Sequence, residues 1–227
     1  MKVALLNASP NPDRTFDNFR GILGELDSYR CSLSDYRIQE RTFPDPGGYD
    51  AAIISGSADS VYDDEPYLDE LRAWIRDVDL SCFGVCFGHQ AIADAYGGRV
   101  EELSDGELGY RGAVHWGDPL FDGVPRQFVS FQSHGDGVVE PPDGADIVAA
   151  NGVCLQAMRV GDHATVQFHP EIGLEYGRDL VDSVEADADD PETEPDFDAV
   201  RKTLTEANER QAKRVHAVFE NYLDAIA

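Results

Sequence analysis

Positively charged side chains are scarce in this sequence. Its 227 residues include 18 Lys and Arg against 44 Asp and Glu, which gives a formal net charge of -26, and the only lysines are Lys2, Lys202 and Lys213. The acidic residues run along the whole chain. Because nucleic acids and anionic membranes bind basic surfaces, we expect neither as a partner. The acidity also indicates adaptation to high salt, since self-repulsion of this size destabilises a compact state until counterions screen it.

Cysteines and long apolar runs are also few. The four cysteines are Cys31, Cys82, Cys86 and Cys154, and they lack the close pairing of a zinc knuckle. No export signal accompanies them, so we expect free thiols rather than disulfides. The apolar run that begins after Lys2 is too short for a signal peptide or a membrane span. We therefore expect a cytoplasmic protein without a membrane segment.

The apolar pattern predicts one α/β domain, since a chain of this length forms one sizeable core rather than two. Strands are predicted at 2–7, 49–55 and 80–85, with helical patterns between them, which is the order of a parallel βαβ sheet flanked by helices. From 97 to 162, short alternating runs with glycine and proline turns predict a smaller antiparallel β portion. We expect this portion to pack beside a central, mostly parallel sheet.

Three segments describe the predicted domain organisation. Residues 1–184 are expected to form the α/β domain. Residues 185–198 are acidic and contain two prolines, so we interpret them as a solvated loop, with a docking segment for a basic partner as the alternative. Apolar side chains at helical spacing in 199–227, among them Val215 and Phe219, predict one long C-terminal helix that packs on the same domain.

Cys86 lies in S-C-F-G-V-C-F-G-H-Q (81–90), where a strand pattern ends and a helical pattern begins. Gly84 and Gly88 flank it two residues away on each side, which is the spacing of a nucleophile elbow. The N-terminus of the following helix would favour a thiolate at Cys86. Two interpretations are open at this point: a cysteine nucleophile, or a small core residue between glycines.

A cysteine nucleophile needs a general base and a group that orients the base, and His169 and Glu171 can provide both. Pro170 favours an extended backbone at His169, and residues two apart in an extended chain face the same side. We therefore expect the carboxylate of Glu171 to meet the imidazole of His169 at the end of a strand.

The segments G-V-C-F-G-H-Q and Q-F-H-P-E together resemble the class I, or triad, glutamine amidotransferases, whose nucleophile segment is G-x-C-x-G-x-Q and whose base segment is H-P-E. The resemblance covers roughly residues 3–179. It implies Cys86 as the nucleophile, His169 as the base and acid, and Glu171 as the residue that orients the base. It also implies that Gln90 helps to hold the glutamine substrate.

Two backbone amides are candidates for the oxyanion hole. That of Phe87 follows from the elbow, because the residue after the nucleophile presents its N–H to the reacting carbonyl. In the family, the second amide comes from a G-G-P-type loop, which here reads S-G-S-A-D-S (55–60): Gly56 matches, whereas Ser57 and Ala58 depart. A serine amide can still donate if the loop conformation is kept. We reject a pyrophosphate-binding loop here, since its second glycine is missing and no other nucleotide motif accompanies it.

A further match is S-H-G-D, formed by Ser133, His134, Gly135 and Asp136. This segment resembles the guanine-nucleotide synthetase branch of the family, where its backbone helps to bind glutamine. With S-V-Y-D-D-E-P (60–66) and G-H-Q, it makes the amidotransferase half of GMP synthase the most similar branch. The alternative is a polar β-turn that contains a hydrogen-bonded histidine.

We predict neither a metal nor a cofactor. A metal centre built from Cys86, His134, Asp136, His169 and Glu171 is conceivable by ligand type, but the elbow accounts for the cysteine without an ion. Amide hydrolysis by a thiolate needs no cofactor.

The resemblance implies hydrolysis of the L-glutamine side-chain amide to glutamate and ammonia. Family members pass the ammonia to a synthetase domain or subunit, and none fits in this chain, so a synthetase partner in trans is expected. One alternative is a stand-alone hydrolase of γ-glutamyl peptides with the same triad. The other is a non-catalytic regulatory or binding subunit in which the triad is silent.

Overall fold

The structure, a computed structural model, describes residues 1–26, 28–188 and 195–227. Within these ranges the chain forms nine β-strands and seven α-helices. The strands are β1 (Lys2–Asn7), β2 (Ser32–Arg37), β3 (Ala51–Ile54), β4 (Cys82–Val85), β5 (Arg99–His115), β6 (Gln127–Glu140), β7 (Asp146–Ala150), β8 (Leu155–Val160) and β9 (His163–Val166). The helices are α1 (Pro12–Glu25), α2 (Pro66–Asp77), α3 (Phe87–Ala95), α4 (Leu174–Ala186), α5 (Phe197–Thr203), α6 (Glu206–Ala212) and α7 (Ala217–Ile226).

All nine strands belong to one sheet, in the order β2-β1-β3-β4-β9-β8-β7-β5-β6. Neighbours from β2 to β9 in this order are parallel, and neighbours from β9 to β6 are antiparallel. Strand β9 joins the two halves, because Ala164 pairs with Phe83 of β4 on one side and with Arg159 of β8 on the other. The antiparallel strands therefore extend the parallel sheet, which corrects the expectation that they pack beside it.

Helices cover both faces of the parallel half, and this explains why β3 and β4 are buried along their whole length. On one face, Phe19 of α1 and Phe219 of α7 pack over Phe83, with the Phe83 and Phe219 ring centroids 4.7 Å apart. On the other face, Leu68 of α2 and Ile92 of α3 cover the sheet. Each fully buried phenylalanine side chain contributes roughly 1.5–3 kcal/mol to folding.

The predicted single C-terminal helix is wrong. Residues 197–226 form α5, α6 and α7, with a 3-10 turn at Lys213–His216 before α7. The backbone leaves the helical region at Leu204 (φ -79, ψ 69), and the Thr205 side chain accepts a hydrogen bond from the Asn208 amide. Because threonine is a preferred N-cap residue, this contact starts a new helix at Glu206.

The acidic stretch 185–198 lies partly outside the described residues, which omit 189–194. On its two sides, α4 continues to Ala186 and α5 begins at Phe197. The loop predicted for 185–198 stays a prediction over its middle part.

The helices of the described ranges are short. Helix α1 has 14 residues, whereas a bilayer span needs about 20 apolar ones. None of the helices in these ranges has the length and hydropathy required to cross a membrane.

The carboxyl ends of β3, β4 and β9 lie side by side at one edge of the sheet, because these three strands are parallel neighbours. The chain leaves β3 at Ser55, leaves β4 at Cys86 and leaves β9 at Gln167. Ligands of open α/β sheets bind at this edge, so the fold brings together the segments that carry the candidate residues.

Candidate functional site

Cys86 lies at the turn between β4 and α3, with a strained backbone (φ 53, ψ -106). A Cβ atom on Gly84 would lie 2.5 Å from the carbonyl oxygen of Gly88. A Cβ atom on Gly88 would overlap the carbonyl oxygen of Ile54. Neither position has room for a side chain, and positive φ at a non-glycine residue is a strained conformation that clusters at active sites. The bend therefore has the geometry of a nucleophile elbow.

His169 follows β9 and is held by its amide, which donates to the carbonyl of Phe131 at 2.8 Å. Its Nδ1 lies 2.7 Å from Oε1 of Glu171. Residues 170 and 171 lie in a turn, so the pair meets across that turn rather than along an extended strand. Since a carboxylate only accepts, Nδ1 carries the hydrogen, and Nε2 is the atom left to exchange a proton with a substrate or nucleophile.

The electrostatics of His169 favour its charged form. Burial alone would lower the pKa of His169, but Glu171 and the sulfur of Cys86 outweigh it and raise that pKa well above its usual value. A charged imidazole of this kind carries a proton at Nε2 that it can donate to a reacting group.

Gly56 lies against both of these groups. A Cβ atom at this position would be 2.9 Å from Cε1 of His169 and 3.7 Å from Cβ of Cys86. The loop after β3 therefore touches Cys86 and His169 at once, and it has no room for a side chain at the point of contact.

The sulfur of Cys86 has two polar neighbours. Its S–H points to the carbonyl of Ser133 at 3.7 Å, and Nε2 of Gln167 donates toward the sulfur, also at 3.7 Å. Gln167 was not predicted as a site residue, although it stands in the Q-F-H-P-E motif. Its position in that motif was the available signal.

The candidate oxyanion donors are both available. Within the described part of the chain, neither the Phe87 amide nor the Ser57 amide donates to a protein acceptor. Among the described non-glycine residues, only Arg41 and Cys86 have positive φ. Ser57 therefore replaces the glycine of the family loop without the positive φ that would strain a serine.

The S-H-G-D segment forms one wall of the site. Ser133 and Gly135 line the cavity beside His169. The Asp136 carboxylate accepts hydrogen bonds from Ser60 Oγ at 2.5 Å and from the Tyr62 hydroxyl at 2.9 Å. These bonds tie the segment after β3 to the wall.

The His134 side chain turns into the protein and is 1% exposed. Its Nδ1 donates to the backbone carbonyl of Asp136 at 2.9 Å, and its Nε2 lies 3.3 Å from Oε2 of Glu107. The Asp136 carboxylate is bound to hydroxyl groups, and the His134 side chain turns away from the cavity. The five residues considered from the sequence as a metal centre are therefore not brought together. Glu107 was not singled out by the sequence.

Gln90 lies behind the wall and is 3% exposed. Its amide nitrogen donates to the carbonyl of Asp136 at 3.0 Å and to Oε1 of Gln167 at 3.2 Å. Gln90 is expected to help hold the substrate, and because its side chain is buried and does not line the cavity, it would do so through the wall. Its contacts connect α3 to the wall and to the neighbour of the Cys86 sulfur.

A cavity of about 1180 Å³ opens in front of His169. Its lining includes Gly56, Ser57 and residues 133–135, and also Ser9, Thr15, Asn18 and Tyr176. The cavity is large enough for an amino acid and for a substituent on its side chain.

Sequence comparison identifies relatives of this chain. The family model described as Glutamine amidotransferase class-I matches residues 17–181. The chain is 36% identical over 167 residues to the glutamine-hydrolyzing GMP synthase of Listeria innocua serovar 6a, which covers 71% of this chain and 30% of that protein. It is 38% identical over 134 residues to the protein of the same name from Bacillus subtilis strain 168, which covers 57% and 26%. The chain thus spans less than a third of the length of these GMP synthases.

Solved structures share the fold. A glutamine amidotransferase of Thermotoga maritima superposes with a TM-score of 0.80 at 18% identity, over 98% of this chain and 97% of that one. A glutamine amido transferase of Methylobacillus flagellatus gives a TM-score of 0.76 at 21% identity, over 99% and 94%. With the family match over most of its length, the chain belongs to the class I glutamine amidotransferases, which are cysteine-based hydrolases.

Proposed function

We propose that this chain hydrolyses the side-chain amide of L-glutamine with a triad of Cys86, His169 and Glu171. The observation that carries the proposal is the contact of Gly56 with both the nucleophile and the base, together with the 2.7 Å bond from His169 Nδ1 to Glu171. These contacts give the geometry that a base-activated cysteine requires.

The reaction would proceed in two steps. The Cys86 thiolate attacks the side-chain carbonyl carbon, and the amides of Phe87 and Ser57 stabilise the oxyanion of the tetrahedral intermediate. His169 gives its Nε2 proton to the departing nitrogen, so ammonia leaves and a γ-glutamyl thioester remains. Water, deprotonated by His169, then cleaves the thioester to glutamate and restores the thiolate.

The wall formed by Ser133, His134 and Gly135 would hold the glutamine through its backbone. Gln90 supports this proposal as a positioning residue, because its bond to the Asp136 carbonyl fixes the end of the wall. This hydrolysis requires no cofactor.

We further propose that the ammonia passes to a synthetase partner in trans. The support is that the relatives are glutamine-hydrolyzing GMP synthases, of which this chain matches 30% and 26% of the length. A Thermoplasma acidophilum chain, provisionally assigned as one subunit of a GMP synthase, has the same fold, with a TM-score of 0.68 at 17% identity over 100% of this chain and 94% of that one.

A second candidate is a hydrolase of γ-glutamyl peptides. The cavity of about 1180 Å³ favours it, because sites for drug-sized ligands span roughly 300–1,000 Å³ and glutamine is smaller than such ligands. The part of the cavity lined by Ser9, Thr15 and Asn18 is where a substituent on the amide nitrogen could lie.

Release of glutamate from glutamine and from a γ-glutamyl dipeptide, compared at equal concentration in molar KCl, separates the candidates. We expect kcat/KM to be higher for glutamine. A higher kcat/KM for the dipeptide would instead support the peptide hydrolase. If the folded protein turns over neither substrate, the result would contradict the proposed triad and support the non-catalytic binding role.

Replacement of Ser57 by proline tests the oxyanion hole, because proline has no backbone N–H. We expect kcat for glutamine to fall by about 10²–10³-fold, the usual effect of losing one oxyanion donor. Ser57→Ala, which keeps the amide, should retain activity close to that of the wild type. Equal activities of the two variants, with unchanged circular dichroism, would show that the Ser57 amide is not part of the oxyanion hole.

We propose that the net charge of -26 adapts the protein to high salt. The Debye length falls from about 10 Å at 0.1 M to about 3 Å at 1 M, so repulsion between surface carboxylates weakens strongly over this range. We expect the melting temperature to rise by roughly 10 °C between these KCl concentrations, equivalent to a few kcal/mol. Sucrose at matched osmolality is the control, since it does not screen charge. A melting temperature that does not depend on KCl would contradict the proposal.

A further inference from the structure

Three side chains with metal-binding atoms meet beside the cavity. Glu107 on β5 pairs directly with His134 on β6, and Cys154 stands just before β8. One ligand atom from each of the three lies within 4.8 Å of the others. None of them belongs to the proposed triad, and the set shares only His134 with the metal centre considered from the sequence.

The hydrogen bonding of His134 leaves a gap that a cation fits. Nδ1 must carry the hydrogen, because its partner is the Asp136 carbonyl, which can only accept. In the neutral ring, the lone pair of Nε2 then faces Oε2 of Glu107 at 3.3 Å. Nε2 is buried and, within the described part of the chain, has no hydrogen-bond partner. Two acceptors at this distance repel each other unless a proton or a metal ion lies between them.

The groups around the three side chains match the outer shell of a metal site. A metal-bound histidine usually donates its other ring N–H to a backbone carbonyl, as His134 does. Metal-bound carboxylates are themselves hydrogen-bonded, and Glu107 accepts from Asn151 Nδ2 at 2.8 and 2.9 Å and from Gln156 Nε2 at 3.0 Å. Gln156 also donates to the Cys154 sulfur at 3.3 Å.

We propose that Glu107, His134 and Cys154 form a binding site for zinc or a similar borderline-soft divalent ion. One nitrogen, one oxygen and one sulfur donor suit this class of metal. Tetrahedral zinc with bonds of about 2.0–2.3 Å places its ligand atoms roughly 3.3–3.8 Å apart. Glu107 Oε2 lies 3.3 Å from the nitrogen of His134 and 4.0 Å from the sulfur of Cys154, and the nitrogen and the sulfur lie within 4.8 Å of each other, so the three atoms are close to this spacing.

The charges of the site are compatible with a divalent ion. Burial raises the pKa of the Cys154 thiol to about 12, so the metal must displace its proton. A thiolate, a carboxylate and a divalent ion together are neutral.

Glu107 and His134 belong to strands that line the cavity, but their side chains are only 5% and 1% exposed, so a water as fourth ligand would itself be buried. The site would then sit behind the wall that is proposed to contact glutamine.

Zinc binding to the Cys86→Ala protein is the direct test, since this variant removes the nucleophile as a competing thiolate. We expect one zinc per chain in competition with a chromophoric chelator at micromolar concentrations. Adding Cys154→Ala or, separately, Glu107→Gln should weaken binding by at least about 100-fold, more than the loss of an outer-shell partner. Cobalt should give a sulfur-to-metal charge-transfer band that disappears with Cys154→Ala.

Cys31→Ala in the same background is the matched control, because it removes a half-buried cysteine outside the cluster, and zinc binding should be unchanged.

The affinity for zinc should also rise as pH increases, since the proton of Cys154 is released. The groups facing Cys154 are Glu107, His134 and Cys86, and Arg111 faces Glu107. A Cys86→Ala protein that takes up no zinc would overturn the proposal and leave a proton between His134 and Glu107. Zinc binding that survives both further substitutions would also overturn it. None of these readouts requires glutamine hydrolysis.

Discussion

Glutamate release from glutamine is expected to fall by about 10⁴-fold or more when Cys86 is replaced by alanine. Without the sulfur, no γ-glutamyl thioester can form, and the remaining groups can only bind the substrate and polarise its carbonyl. The measurement is steady-state production of glutamate and ammonia in molar KCl. Binding of glutamine, measured by calorimetry, should persist, because the wall of the cavity is unchanged.

Cys82→Ala is the matched control for this substitution. Cys82 is buried in β4, on the strand that leads to the elbow, and its S–H points to the carbonyl of Leu80 at 3.6 Å. We expect this variant to hydrolyse glutamine at close to the wild-type rate. Comparable residual activity in the two variants would mean that Cys86 is not the nucleophile.

Replacing Glu171 by glutamine is expected to lower kcat by about 10²–10⁴-fold. The carboxylate accepts the Nδ1 hydrogen of His169 at 2.7 Å, which fixes the tautomer that leaves Nε2 free for proton transfer. An amide can present its N–H to the same nitrogen and stabilise the opposite tautomer. Glu175→Gln is a suitable control, since it removes the same charge from an exposed position on α4.

The pH profile should change in a defined direction in the Glu171→Gln variant. Burial lowers the pKa of His169, and the charges of Glu171 and Cys86 raise it well above its usual value, so the imidazolium survives to high pH. Loss of the carboxylate removes one of the two charges that raise the pKa of His169. The imidazolium would then be lost at lower pH, and the alkaline limb of kcat/KM should move to lower pH. A limb that stays in place would show that Glu171 does not set the charge of His169.

The geometry around Cys86 could be predicted from sequence because it is local. Gly84 and Gly88 each prevent a clash within a few residues of the turn or with the adjacent strand. His169 and Glu171 are two residues apart, so their contact also depends on local structure rather than on the overall fold. His169 lies in a β-bridge with Phe131, in agreement with the extended backbone expected there, and a turn at Pro170 then brings the two side chains together.

The contacts of Glu107 could not be predicted in the same way. Its position opposite His134 depends on the register of β5 and β6, which shifts between Glu102 and Glu107. A slip of one residue would turn Glu107 to the other face of the sheet. Gln90 is a similar case, since its partners Asp136 and Gln167 come from distant segments.

The sequence contains a signal for the break between α5 and α6, but the apolar periodicity across that break obscures it. Thr205 stands three residues before Asn208 and caps α6, and threonine is a typical N-cap residue. The apolar side chains of 197–226 keep their spacing through the break, so the pattern alone predicted one helix. Val215 and Phe219 are buried all the same, because α7 packs on the sheet.

The pairing of β4 with β9 has a consequence for how the protein matures. Gln167 lies 81 residues beyond Cys86, yet the two side chains touch, and β5 to β8 occupy most of the chain between them. Contacts across such separations form late, because the intervening loop must close before they stabilise the fold. A partly folded chain, with its first βαβ unit already in place, therefore carries a thiol that has no base beside it. The proposed hydrolase would become reactive only once β9 has docked against β4.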